Sequence, residues 1–169
     1  MSTKTKTDVH SYLSFRIGEE VFAANVKNVL NILEMTAITK VPKSPKYMKG
    51  VINLRGTVLP VIDSRLKFGM EETEYTTNTY IIVLELHVGS EPVMIGTIVD
   101  AVKEVLEIDI SAILPPPSIG TNYKTDYLIG MAQAGEGFIM LLNAEKVFAS
   151  DEIVEMQNIT KEAEKTTEE

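Results

Sequence analysis

Apolar and polar residues alternate over 12–26, "YLSFRIGEEVFAANV", which places two strands around a glycine-containing turn at "GEE". The next segment, "VKNVLNILEM", sets Val26, Val29, Leu30 and Leu33 at helical spacing and reads as a short helix or a bent strand. Pro42 and Pro45 interrupt regular structure in "TKVPKSPKYM" and predict an extended, exposed loop leading back to "GVINLR". "NLRGTVLPVID" reads as a second hairpin turning near Gly56, and "SRLKF" as a short helix with Asp63 or Ser64 as its cap. Residues 69–79, "GMEETEYTTNT", are polar and acidic without apolar periodicity, so a boundary falls there, ahead of the strong strand "YIIVLELHV".

The pattern then repeats. "VKNVLNI" (26–32) recurs as "VKEVLEI" (102–108), and each copy follows a Gly-turn hairpin, "IGEEVFAANV" or "VGSEPVMIGTIV". "GVINLRGTVLPVIDSRLKF" (50–68) aligns without a gap on "GMAQAGEGFIMLLNAEKVF" (130–148), pairing Gly50 with Gly130 and Phe68 with Phe148. Two matched segments in the same order imply a duplicated unit. Residues 12–68 and 80–148 are therefore expected to be two strand-rich barrel units, each too small to bury a generous core alone. Five short strands with Gly turns in each unit predict an all-β protein of two small five-stranded barrels around a shared hydrophobic core, with short helices. Together they form one domain over 1–150, followed by an acidic tail over 151–169. The tail would begin as a helix capped by Ser150 or Asp151, with Ile153, Val154 and Met156 packing back.

Composition narrows the function. The chain has 169 residues, 44% of them hydrophobic, and no tryptophan, so the core must come mainly from Val, Ile, Leu and Met. It has no cysteine, which removes disulfides, thiolate metal sites and cysteine nucleophiles, and a cytosolic address is the default. The N-terminus lacks a signal-like apolar core, and no apolar run is long enough for a membrane span. His10, in an N-terminus expected to fray, and His87, on the polar phase of a strand, read as solvated side chains. No HExxH, P-loop, GxGxxG or GxSxG pattern occurs, so no catalytic, metal or cofactor site is expected and the protein reads as non-enzymatic.

Charge singles out one segment. Residues 40–67 hold seven cations (Lys40, Lys43, Lys46, Lys49, Arg55, Arg65, Lys67) against Asp63, a local +6 in a chain of net charge −8. Nucleic acid is disfavoured as a partner, because Tyr47 is the segment's one aromatic and single-strand binders interleave several. A solvated loop, or a complement to an acidic protein partner, fits better. Arg55 aligns with Gly135 in the second repeat, so the scaffold does not require arginine there. Two readings stay open: an arginine laid over apolar neighbours and paired with Asp63, or an interface anchor on a rigid hairpin.

"MKGVINLRGTVLPVIDSRLKFG", preceded by "VLNILEM" and "ITKVP" and followed by "YIIVLEL" and "GTIVDAVKEVL", resembles the CheW-like family of chemotaxis adaptors over about residues 10–149. The resemblance implies two SH3-like barrels, no enzymatic activity, and a protein that couples the cytoplasmic hairpin tips of chemoreceptors to the CheA histidine kinase. It further implies a monomer when free, held within larger signalling arrays and recruited to membrane-bound receptors only through its partners. By the same resemblance, Arg55, Val29, Ile32, Leu33 and Gly96 fall on receptor-binding positions, and Gly50 and Asn31 on positions that contact one or other partner. Backbone geometry remains an alternative role for the glycines, as core packing does for Val29, Ile32 and Leu33. The sequence departs from the family pattern at Ser64, where leucine is common, and at Asn31, where an acid is common. A stand-alone barrel that binds a small molecule or single-stranded nucleic acid is the competing reading, and its affinity would show without receptor or kinase, falling steeply with salt for nucleic acid.

Overall fold

Runs such as "YIIVLEL" and "FIMLL" carry apolar residues on both phases of a strand, the pattern of strands covered on both faces. The structure, a computed structural model, describes residues 8–88, 90–116 and 127–148. The helix expected in the acidic tail lies outside them. The described residues form ten strands: β1 (Val9–Ile17), β2 (Glu20–Asn25), β3 (Val29–Glu34), β4 (Met48–Leu54), β5 (Thr57–Asp63), β6 (Tyr80–Val88), β7 (Glu91–Val99), β8 (Ala101–Asp109), β9 (Leu128–Ala134) and β10 (Gly137–Leu142). Two short helices follow β5 and β10, α1 (Ser64–Lys67) and α2 (Ala144–Phe148). Asp63 caps α1, accepting from the Arg65 and Leu66 amides at 2.9 and 3.4 Å. The segment left open as helix or bent strand is one 3₁₀ turn, Val26–Asn28, and then strand β3, whose exposure alternates residue by residue. His10 does not fray: it lies in β1, opposite Ile108 of β8.

The sheets are all-β and five-stranded, in the orders β8-β1-β2-β10-β9 (sheet A) and β3-β6-β7-β5-β4 (sheet B). Each repeat thus gives its first hairpin to the other repeat's sheet, and the two orders interconvert when every strand is replaced by its counterpart. The sequence boundaries 12–68 and 80–148 are boundaries of repeats, not of sheets. Connection length gives the reason. Only Asp100 separates β7 from β8, which is shorter than a hairpin loop, so the chain runs on into the other sheet instead of turning back.

Three apolar clusters result. Ile52, Leu59, Val61, Ile81, Val83 and Ile98 fill the concave side of sheet B, and Tyr12, Ala23, Ile108, Ala132, Ile139 and Leu141 that of sheet A. The shared core between them takes Leu13, Phe15 and Phe22 from sheet A and Ile82, Leu84, Leu86 and Ile95 from sheet B, together with Val147 and Phe148 of α2. Along β6, Ile81 and Val83 face inward while Ile82, Leu84 and Leu86 face the other barrel, which accounts for the unbroken apolar run. An aromatic stack crosses the junction: Phe15 to Phe22 at 6.5 Å, Phe22 to Phe68 at 5.5 Å, and Phe68 edge-on to Tyr127 at 6.3 Å.

Each sheet curls until its edges meet at one bridge. Beyond β3, Thr39 pairs with Val51 of β4 through bonds of 2.9 and 2.8 Å, and beyond β8, Leu114 pairs with Met131 of β9 at 2.8 Å in both directions. Beside these bridges sit Gly50, at φ +145°, and Gly130. A Cβ on Gly50 would lie 2.0 Å from the Thr39 carbonyl oxygen, and one on Gly130 would lie 2.4 Å from that of Leu114. Gly50→Ala should therefore cost about 3 kcal/mol, through steric overlap and an unfavourable φ. Urea unfolding checks this; a midpoint within error of wild type would mean that the seam closes without the glycine.

Candidate partner-binding surface

A two-residue loop joining antiparallel strands favours positive φ at both positions. Arg55 and Gly56 make that loop between β4 and β5, with φ of 52° and 86°. At the matching tip of sheet A, Gly135 has φ 61°, so the aligned residues share one conformation, which L side chains adopt at a cost of about 1–2 kcal/mol. Arg55 is exposed, and among the described residues no hydrogen bond or ion pair holds it. The Asp63 pairing is overturned. Asp63 lies at the far end of β5, is buried, and takes the α1 amides and the Tyr75 hydroxyl, the last at 3.0 Å.

The segment leaving β3 runs antiparallel to β4 at the Thr39–Val51 bridge. Moving from Thr39 back toward β3 and from Val51 on toward Arg55 therefore follows one direction, and the end of β3 shares an end of the barrel with the Arg55 turn. On β3, Leu30 and Ile32 are exposed, at 48% and 39%. Val29 is half-buried against the shared core and Leu33 against the core of sheet B. Of the three apolar positions singled out on this strand, only Ile32 is exposed, and Leu30 is exposed on the same phase. A period of two rather than a helical period puts Leu30 and Ile32 on one face. Asn31 is half-buried, and its Oδ1 accepts from the Ile32 amide at 2.8 Å. Gly50 closes the seam. Gly96 is buried, with space for no more than a hydrogen: a Cβ there would meet Ile81 Cγ2 at 2.8 Å. Both glycines shape the surface from beneath it.

The basic segment is partly neutralised by the linker. Lys49 bonds Glu72, and that bond with the Lys49 charge holds the Glu72 carboxyl below the usual carboxylate range. Lys67 lies 4.6 Å from the centre of the half-buried Tyr47 ring, which is thus no platform for a base. Lys40, Lys43 and Lys46 remain exposed. Tyr75 ties the linker down through Asp63, so the boundary at 69–79 is a strap lying on sheet B. Between the barrels, Phe15, Ser64, Phe68, Thr97 and Phe148 help line a cavity of about 10 Å³, room for one water at most and far below the few hundred Å³ of a ligand pocket. Sheet A carries its own exposed apolar residues: Val105 on β8, Ile129 on β9 and Phe138 on β10.

Exposed apolar residues on both sheets, and at one barrel end an exposed arginine that is unpaired among the described residues, are features that suit a scaffolding adaptor. The chain belongs to the CheW-like domain family, which its residues 11–161 match. It is 33% identical over 150 residues to the chemotaxis protein CheW of Klebsiella aerogenes, covering 89% of this chain and 88% of that one. It is 35% identical over 140 residues to a probable chemotaxis protein CheW of Rhizobium etli, covering 83% and 88%. The crystal structure of the scaffolding protein TtCheW from Thermoanaerobacter tengcongensis superposes with a TM-score of 0.74 at 30% identity, covering 86% of this chain and 96% of that one. No helix among the described residues is long and apolar enough to cross a membrane.

Two outcomes test this geometry. Arg55→Gly should raise stability by about 0.5–1 kcal/mol, since it relieves a left-handed arginine and breaks no bond; a lower denaturation midpoint would reveal a structural role for the guanidinium. Burial, reinforced by the Asp63 charge, pushes the Tyr75 phenol above its ordinary value. Its contribution is complete below the unfolded value near pH 10 and is lost as the pH rises, so wild type should lose stability more steeply than Tyr75→Phe above about pH 10. Equal slopes in pH-dependent unfolding would mean that the strap is not held by this bond.

Proposed function

We propose that this protein couples the cytoplasmic tips of chemoreceptors to the CheA histidine kinase, holding both so that the receptor controls the kinase. The observation that carries the reading is Arg55, exposed and, among the described residues, unpaired, in a backbone conformation that its counterpart fills with glycine. An arginine kept where glycine suits the turn acts outside the fold, and arginine is enriched at binding hot spots. Leu30 and Ile32 give the receptor tip an apolar seat beside it, with Val29 and Leu33 supporting from below and Asn31 fixing the strand locally. Lys40, Lys43 and Lys46 speed encounter with an acidic partner. The regulatory domain of the kinase takes the exposed face of sheet A around Phe138 and Val105. The free protein is a cytoplasmic monomer that enters membrane-bound arrays through these partners.

Binding of wild type and Arg55→Ala to a receptor-tip fragment and, separately, to the kinase regulatory domain tests the assignment. Loss of about tenfold or more in affinity for the tip alone is expected. Equal weakening for both partners would move Arg55 out of the receptor interface, and wild type binding neither would overturn the adaptor.

A further inference from the structure

Apolar contact between two sheets is non-directional, whereas hydrogen bonds have a preferred geometry, so polar bonds across the junction add to the orientation that the shared core and the one-residue crossover provide. Arg65 and Glu145 are the second residues of α1 and α2, the same position in the two repeats. Arg65 Nε donates to both oxygens of Asp100 at 3.1 and 3.0 Å, and Asp100 Oδ2 accepts from the Gly18 amide at 2.6 Å. The Asp100 amide donates to the Arg16 carbonyl at 2.9 Å, and the Arg16 guanidinium to the Gly18 carbonyl at 2.7 Å. This set joins α1 and the β7–β8 crossover to the tip of the β1–β2 hairpin in sheet A. On the other side, Glu145 Oε2 accepts from Asn28 Nδ2 at 3.2 Å and from the His87 amide at 3.3 Å, and Asn28 Nδ2 also donates to the Glu85 carbonyl at 3.1 Å. That set joins α2 and the β2–β3 crossover to β6 of sheet B. The junction therefore has two latches related by the internal repeat. One is an ion pair with an Asp100 side chain only 13% exposed; the other is a carboxylate held by neutral donors.

We propose that Arg65, Asp100, Asn28 and Glu145 are positioning residues that set the angle between the barrels, and with it the relative placement of the two partners. The inference rests on the adaptor reading, because the face with Arg55 and Ile32 lies on sheet B and the face with Phe138 on sheet A. None of the four is among the partner-contacting residues proposed above. They act by making the two seats one rigid body.

The chain lacks cysteine, so Thr57→Cys on sheet B and Glu107→Cys on sheet A, both exposed, take spin labels cleanly. In the full-length protein, Asp100→Asn and Glu145→Ala should each broaden the inter-label distance distribution, with Glu145→Gln restoring it because an acceptor oxygen remains. In a mixture with receptor tip and kinase, the broadened variants should lose control of kinase activity about fivefold or more while each binary affinity is kept. Ile82→Val, which loosens the shared core without touching either latch, should alter neither readout. An unchanged distance distribution overturns the latch. Broadened distances with full kinase control overturn the positioning role. Wild type binding neither partner overturns the adaptor reading and with it the functional half of the proposal, and the distance measurement, made without partners, tells that case apart.

Discussion

Double-sided burial of the central strands is the constraint from which the rest of this structure follows. A strand such as β6 carries Ile81 and Val83 on one face and Ile82, Leu84 and Leu86 on the other, all of them buried. Neither face can be left to water, so one sheet curled on itself is not enough: its outer surface needs a second sheet. The exchange of hairpins between repeats answers this, since each sheet is completed by strands that belong in sequence to the other half. The one-residue crossover at Asp100, the aromatic stack through Phe22 and Phe68, and the burial of α2 against the junction all serve that arrangement.

Much of this was readable from the chain, in a particular order. Hairpins announced themselves through alternation and glycine turns, and the duplication through the ungapped match of 50–68 with 130–148. What could not be read was which strand pairs with which. Pairing partners far apart in sequence leave no local trace, and contiguity of a repeat is a natural but incorrect guide to contiguity of a sheet. The segment after β2 was ambiguous for a second reason: Val26, Val29, Leu30 and Leu33 satisfy a helical period, yet a strand with a bulge between Val29 and Asn31 satisfies the same positions. Tertiary pairing with β6 decided it.

The candidate surface shows the same division. Comparing repeats isolated Arg55, because a position occupied by glycine in one copy and arginine in the other exposes what the scaffold does not need. Comparison could not separate pairing with Asp63 from exposure, since residues eight apart in sequence sit at opposite ends of a seven-residue strand. The family pattern pointed to Gly50 and Gly96 without saying that both act by having no side chain. The bonds at Arg65 and Glu145 stayed hidden although the alignment places them side by side, because one carries a positive charge and the other a negative one.

The exchanged hairpins also bear on how the two copies can differ. A single repeat with the same strands would have no partner within its own chain for its first hairpin, and could satisfy it only by trading that hairpin with a second copy. Such a repeat alone would form the same sheets only as a symmetric dimer. In one chain the two copies keep the exchange while each hairpin tip is free to carry its own residue. Matching positions in a fused pair can therefore differ, as Arg55 and Gly135 do, whereas in a dimer of identical copies they cannot.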